Sequence, residues 1–173
     1  TGPVGAGLIP RRSTVEFQRL NRSDPEKIFM VFMNSYSTAS LTNGQAAIID
    51  YATDSDGVGI TKPTDTYAVK ALHNGAAFAG IVAETIAAGS YGLVQVYGYH
   101  SAVRVRSWTA GVPAIAKGTA LACVSAVFCL ESYINYALAT SSLTQVNVRL
   151  AGFALAAQAS WTTKAVACFI KAL

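Results

Sequence analysis

The stretch "IAAGSYGLVQVYGYH", residues 86–100, decides the fold. Ile86 stands three positions before Gly89, and a glycine there suits a turn that needs positive φ. The run "YGLVQVYGY" (91–99) then has the β-branched and aromatic make-up of a strand. The stretch contains no residue that an enzyme would obviously need. The same form recurs in "LTNGQAAII" (41–49) and "IAKGTALACV" (115–124), so Gly44, Gly89 and Gly118 hold equivalent places, each with an apolar residue three before it to pack under the following strand. A weaker self-similarity sets "AGIVAETIAAGSYGLVQV" (79–96) beside "AGFALAAQASWTTKAVAC" (151–168). It aligns Gly80 with Gly152, and the second copy lacks the turn glycine, with Ser160 and Trp161 nearby.

Outward from that stretch the chain continues to read as strand. "KIFMVFM" (27–33), "QAAIID" (45–50), "SAVRVRSW" (101–108), "QVNVRL" (145–150) and "AVACFI" (165–170) are short and rich in β-branched or aromatic residues, and Gly, Asn, Asp, Ser and Pro separate them. In "SAVRVRSW" the period of two puts Val103 and Val105 on one face and Arg104 and Arg106 on the other, one side buried and one wet or partner-facing. Sustained three-to-four spacing is missing, and "ESYINYALAT" (131–140) is the one candidate for a short helix. The expected fold is all-β: a small β-sandwich or β-barrel, jelly-roll-like, spanning 27–173 as a single β-domain, with an extended N-terminal arm over 1–26.

The 173 residues suit one domain. Charge is unevenly spread, with 14 of the 22 charged residues in positions 1–70 and only eight in the remaining 103. That is thin cover for a free surface, so much of the C-terminal part is expected to meet protein; a monomer that covers itself with Ser, Thr, Asn and Gln is the alternative. The longest stretch without Asp, Glu, Lys or Arg, 85–103, contains three glycines, Gln95 and His100 and is no transmembrane helix. The opening "TGPVGAGLIPRRS" lacks the pattern of an export signal, and its first residue resembles a Thr left by removal of an initiator Met.

Cys123, Cys129 and Cys168 are odd in number with no C-x-x-C spacing, so they read as core thiols made in a reducing cytoplasm. His73 and His100 are too few and too far apart for a metal cluster. "AGSYG" (88–92) mimics a nucleophile elbow around Ser90, but a strand follows where a helix is required. "DYATDSDGVG" (50–59) suggests a calcium loop at Asp54, Asp56 and Gly57, yet Ala52 and Pro63 occupy two ligand positions, so an Asp-Gly turn is the better reading. No phosphate loop is present. The expectation is a protein that is not an enzyme and has no cofactor, metal or catalytic residue.

The arm "TGPVGAGLIPRRSTVEFQRLNRSDPEK" is rich in Gly and Pro near its start and carries Arg11, Arg12, Arg19 and Arg22. A segment of this kind is expected to be held by a partner, a neighbouring subunit or its own domain, through Leu8, Ile9, Pro10, Arg11, Arg12, Phe17 and Arg19. Glu16, Asp24 and Glu26 are mixed in and the net charge is only +4, so an acidic protein surface is preferred over nucleic acid.

The order "FMNSYSTASLTNGQAAIIDYATDSDGVGITKP", "AGIVAETIAAGSYGLVQVYGYHSAVRV", "AIAKGTAL", "RLAGFALAAQA" and "VACFIKAL" resembles the capsid decoration, or cement, proteins of tailed bacteriophages over about residues 28–173. The likeness rests on Gly80, Ile86, Gly89, Gly92, Val94 and Gly98, and on Ile115, Gly118 and Leu121. It implies a structural virion protein on the outer surface of a phage head, made in the host cytoplasm. Its partners would be the major capsid protein and further copies of itself, a trimer favoured over a dimer. No membrane or nucleic-acid partner is expected. On this reading Gly44, Gly89, Gly92, Gly98 and Gly118 are structural turn glycines, and Tyr97, Tyr99, Arg104, Arg106 and Trp108 are candidates for an oligomer interface. The alternative is a virion-surface or tail β-domain that binds a host glycan or receptor through aromatics such as Tyr97, Tyr99, Trp108 and Trp161.

Overall fold

The computed structural model describes residues 26–36, 38–51, 57–63, 77–106, 115–123, 128–132, 150–158 and 162–172. Among these residues nine strands make one sheet: β1 (Lys27–Asn34), β2 (Ala46–Ile49), β3 (Gly59–Thr61), β4 (Phe78–Val82), β5 (Tyr91–Val105), β6 (Ala120–Cys123), β7 (Leu130–Ser132), β8 (Leu150–Ala154) and β9 (Lys164–Lys171). The body is all-β, and among the described residues there is no α-helix. Of the segment expected to be helical, Glu131 and Ser132 belong to β7, and 133–140 lie outside the described residues, as do 145–149.

The hydrogen-bonding order is β1-β3-β2-β4-β5-β7-β6-β8-β9, with extra pairings of β1 to β5 and of β5 to β9. Those two extra pairings close the sheet on itself twice. β1, β3, β2, β4 and β5 form one five-stranded ring, and β5, β7, β6, β8 and β9 form a second. The 15-residue β5, about 50 Å long at 3.3 Å per residue, is a wall of both. Closure removes the interior edges that a short open sheet would leave unpaired.

The two rings are copies of one plan. Each has one parallel pairing, β1 with β3 and β5 with β7, and the other pairings are antiparallel. β2 bulges against β4 at Ala47/Ile48, and β6 bulges against β8 at Leu121/Ala122. Gly44 N–H donates to the Val82 carbonyl and Gly118 N–H to that of Ala154, while the N–H groups of Val82 and Ala154 return bonds to Gln45 and Thr119. This is the self-similarity visible in the sequence as Gly80 and Gly152.

Glycine is needed at that repeated position because neighbouring backbone presses on it. Gly80 and Gly152 have φ of +146° and +156°, and a Cβ there would strike the carbonyl oxygens of Gln95 and Phe169. The turn glycines answer a different need. Gly44, Gly89 and Gly118, at φ of +83°, +72° and +88°, take the third place in turns closed from Gln45 to Thr42, Ser90 to Ala87 and Thr119 to Ala116. The residues three before them, Leu41, Ile86 and Ile115, are fully buried, as the sequence pattern requires. Gly92 and Gly98, expected in turns, are instead inside β5. Gly92 lies opposite Phe32 with the Ile86 side chain against it, and Gly98 faces the Glu26 carbonyl, so in both cases a close neighbour, not a chain reversal, demands the glycine.

The core is one contiguous cluster that runs through both rings. Packing is balanced across strands: Phe32 opposite Gly92 in the first ring corresponds to Val103 opposite Val166 in the second, one large and one small side chain exchanged for two of middle size. Along β5 the inward set is Gly92, Val94, Val96, Gly98 and His100, and then Val103 and Val105. A bulge between His100 and Val103 shifts the parity, so the even residues that fill the first ring give way to odd residues that fill the second.

Candidate docking surfaces

Two regions of this body are organised for more than packing. The first is the start of β1. Ile28, Phe29, Met30 and Val31 are all exposed, Val31 at 58%. β5 pairs with this part of β1 on one side, but β3 reaches β1 only at Met33 and Asn34. Among the described residues no strand pairs with the other edge of β1 before Met33. Cross-strand pairing sets Val31 beside Leu93 and Met33 beside Tyr91, and Tyr91 is exposed at 64%. Phe29, Val31, Leu93 and Tyr91 therefore form an apolar strip next to an open strand edge. Such an edge normally carries charge or a covering element, whereas the described residues beside this one are apolar.

The second region is the bulge of β5, where the turn before β2 grips it. Asn43 Oδ1 lies 3.1 Å from His100 Nε2, and Ala102 N–H donates to His100 Nδ1 at 3.1 Å. With Nδ1 accepting, the proton sits on Nε2 and is donated to Asn43. Burial, assisted by the charge of Lys27, holds the imidazole below its ordinary value of 6.5. Arg104 N–H donates to the Gly44 carbonyl, and its Nη2 donates to Thr42 Oγ1 at 2.8 Å. Backbone and side chain of one strand thus fasten the first ring to the second.

Beside it lies an ion pair. Glu131 is buried, and Arg106 donates to its Oε1 through Nε at 2.8 Å and also through Nη2. Burial pushes the Glu131 carboxyl up, and Arg106 pulls against it. The Cys129 thiol is raised to about 12, mainly by burial and further by Glu131, and Cys168 to about 12 by burial. All three cysteines are buried, as expected of core residues.

Val103 and Val105 are buried, and Arg104 and Arg106 are half-exposed on the opposite face. Tyr97 packs edge-to-face on Phe169 at 5.1 Å, and Tyr99 lies beneath the Lys27 ammonium at 5.9 Å, so both rings are used within the chain. The arm residues Leu8, Ile9, Pro10, Arg11, Arg12, Phe17 and Arg19 lie outside the described residues, as do Trp108, Trp161, His73, Asp54 and Asp56. Asp50, at the head of the calcium-like loop, accepts from Ser35 Oγ at 2.7 Å. Among the described residues no group of three or more His, Cys, Asp or Glu side chains is placed to hold a metal ion. Sequence reading missed the exposure of 28–31; its trace is that "KIFMVFM" is continuously apolar and does not alternate.

No family model matches the chain, and no curated protein matches it. Among solved structures it is similar to the head fiber gp8.5 N base in bacteriophage phi29, with 11% identity and a TM-score of 0.40, over 85% of this chain and 96% of that one.

Proposed function

We propose that this chain is a structural virion protein, a capsid decoration protein that binds the outer surface of a phage head as a homo-oligomer and stabilises contacts between capsomers. The observation that carries the reading is the apolar strip of Phe29, Val31, Tyr91 and Leu93 beside the edge of β1 that, among the described residues, no strand pairs with before Met33, on a body whose strands otherwise close into rings. Residue 26 leads directly into β1, the strand that carries this edge. Support also comes from the resemblance to decoration proteins, although Gly80, Ile86, Gly89, Gly92, Val94 and Gly98 each serve the fold. Many copies with modest contacts each would sum to firm attachment through multivalency.

The test is mass by light scattering together with cosedimentation on empty phage heads, for the full chain, a chain lacking residues 1–25, and the variant Val31→Asp/Tyr91→Ser. A stable oligomer that sediments with heads, and loses both properties in the double variant while its melting temperature holds, is the expected result. A monomer that ignores heads but is retained on a glycan array would overturn the reading in favour of a receptor-binding domain.

A further inference from the structure

Where the two rings meet, a two-lobed groove opens along the C-terminal half of β5. One lobe, of about 370 Å³, is lined by Asn43, Ala102, Arg104, Thr163, Lys164 and Ala165. The other, of about 250 Å³, is lined by Lys62, Arg104, Phe128, Cys129 and Thr163. Arg104 and Thr163 border both. Each wall comes from a different ring: Asn43 and Lys62 from the first, Phe128, Cys129, Thr163 and Lys164 from the second. Junctions of this kind are where ligand sites form most readily.

The electrostatics of the groove are one-sided. Arg104, Lys62 and Lys164 bring three positive charges, and among the described lining residues there is no carboxylate. Glu131, the nearby buried acid, is already committed to Arg106. The Arg104 guanidinium has five N–H donors, and its hydrogen-bond partner among the described residues is the Thr42 hydroxyl alone. Lys62 hovers over the Phe128 ring at 5.6 Å, so its charge is held at the groove rather than extended into solvent. At the equivalent place in the first ring stands Met33, which pairs with Gly59 as Arg104 neighbours the Val105–Leu130 pairing; the cation belongs to the junction, not to the plan of the repeat.

We propose that this groove receives the carboxylate side chains of an acidic segment of a protein partner, with Arg104 as the central, bidentate ligand. A planar fork matches a planar carboxylate, and the apolar floor of Phe128, Ala102 and Ala165 suits the methylene stem of a glutamate. A phosphate would need donors converging from several sides. Here the cations are divided between the lobes, Lys164 bordering one and Lys62 the other with Arg104 common to both, rather than gathered around one point. The groove lies on a different surface from the apolar strip, so head binding and anion binding fail independently.

The experiment is an NMR titration of the full ¹⁵N-labelled chain at constant ionic strength with three probes: a blocked tetraglutamate peptide, glutarate and inorganic phosphate. The peptide is expected to shift the amides of Asn43, Thr163 and Lys164 and the Arg104 Nε–H saturably, with a Kd on the order of 1 mM or tighter, and phosphate at least tenfold more weakly. Arg104→Met is expected to weaken the peptide at least tenfold. Lys62→Gln/Lys164→Gln, which leaves the Thr42 bond intact, is expected to weaken it about threefold to tenfold and covers the case in which Arg104→Met fails to fold. The proposal is overturned if the peptide gives no saturable shift at these residues, if phosphate or glutarate alone binds, or if neither variant changes the affinity.

Discussion

Replacing Arg106 with Met tests the electrostatic reading of the ring junction most directly. The side chain of Glu131 is 3% exposed and that of Arg106 25%, so the two partners are not symmetric. Without the guanidinium, the carboxylate is stranded in the interior, whereas a guanidinium without Glu131 can still reach water. Breaking a buried pair from the side that leaves a charge behind costs about 3–5 kcal/mol, a large part of the ~5–15 kcal/mol that holds a domain of this kind together. Glu131→Gln, which leaves the more exposed partner, is expected to cost about 1–2 kcal/mol. The sign with pH follows from the raised carboxyl: its folded value lies above the ordinary 4.5, so the native state gains a proton more readily than the unfolded chain, and the group's burden on stability disappears as pH falls through the folded value towards 4.5. Removing Arg106 raises that folded value further. The Arg106→Met penalty, measured by urea unfolding with far-UV circular dichroism, is therefore expected to shrink to about 1 kcal/mol near pH 4.5, where only the hydrogen bonds are missing. The double variant Arg106→Met/Glu131→Gln is expected to recover most of the loss at pH 7. A penalty that is the same at both pH values, or below about 1 kcal/mol at pH 7, would refute the reasoning.

Three further expectations concern the same scaffold. His100 is held neutral, its folded value below 6.5, so its contribution to stability is complete above 6.5 and is lost as pH falls from there towards the lowered native value; a urea midpoint that declines between pH 7 and 5 in the wild type but not in His100→Gln is the sign of it. Gly44→Ala and Gly118→Ala share a positive φ, which costs about 1 kcal/mol, but only at Gly44 would the new Cβ meet a carbonyl, that of Ala102, so its melting temperature should fall at least twice as far; equal losses would show that the bulge yields freely. The thiols of Cys129 and Cys168, both raised to about 12, are expected to resist a disulfide reagent at pH 8 until urea unfolds the chain, and peptide mapping of early labelling at either site would contradict the buried placement.

Sequence by itself determined the local devices. Glycine at 44, 89 and 118 with a buried apolar residue three before it, the inward valines 103 and 105, and the strand character of 27–33 and 165–170 all follow from chemistry that acts within a few residues: φ preference, side-chain alternation and β-branching. Even the duplication left a trace at Gly80 and Gly152, because each must admit a neighbouring carbonyl. What only the tertiary structure decided was how those pieces share space. "YGLVQVYGY" and "SAVRVRSW" read as two strands and are one, because a bulge at 101–102 changes the inward face without ending the pairing with β9. β1 and β3 lie parallel, a contact between segments about 25 residues apart that no local period encodes. Membership of β5 in both rings, and with it the cationic groove, exists only once both have closed. Nor does apolarity alone tell a core strand from an exposed one: Ile28 to Val31 and Ala46 to Ile49 are equally hydrophobic runs, and the difference is that strands flank β2 on both sides while, among the described residues, β1 begins with a strand on one side only.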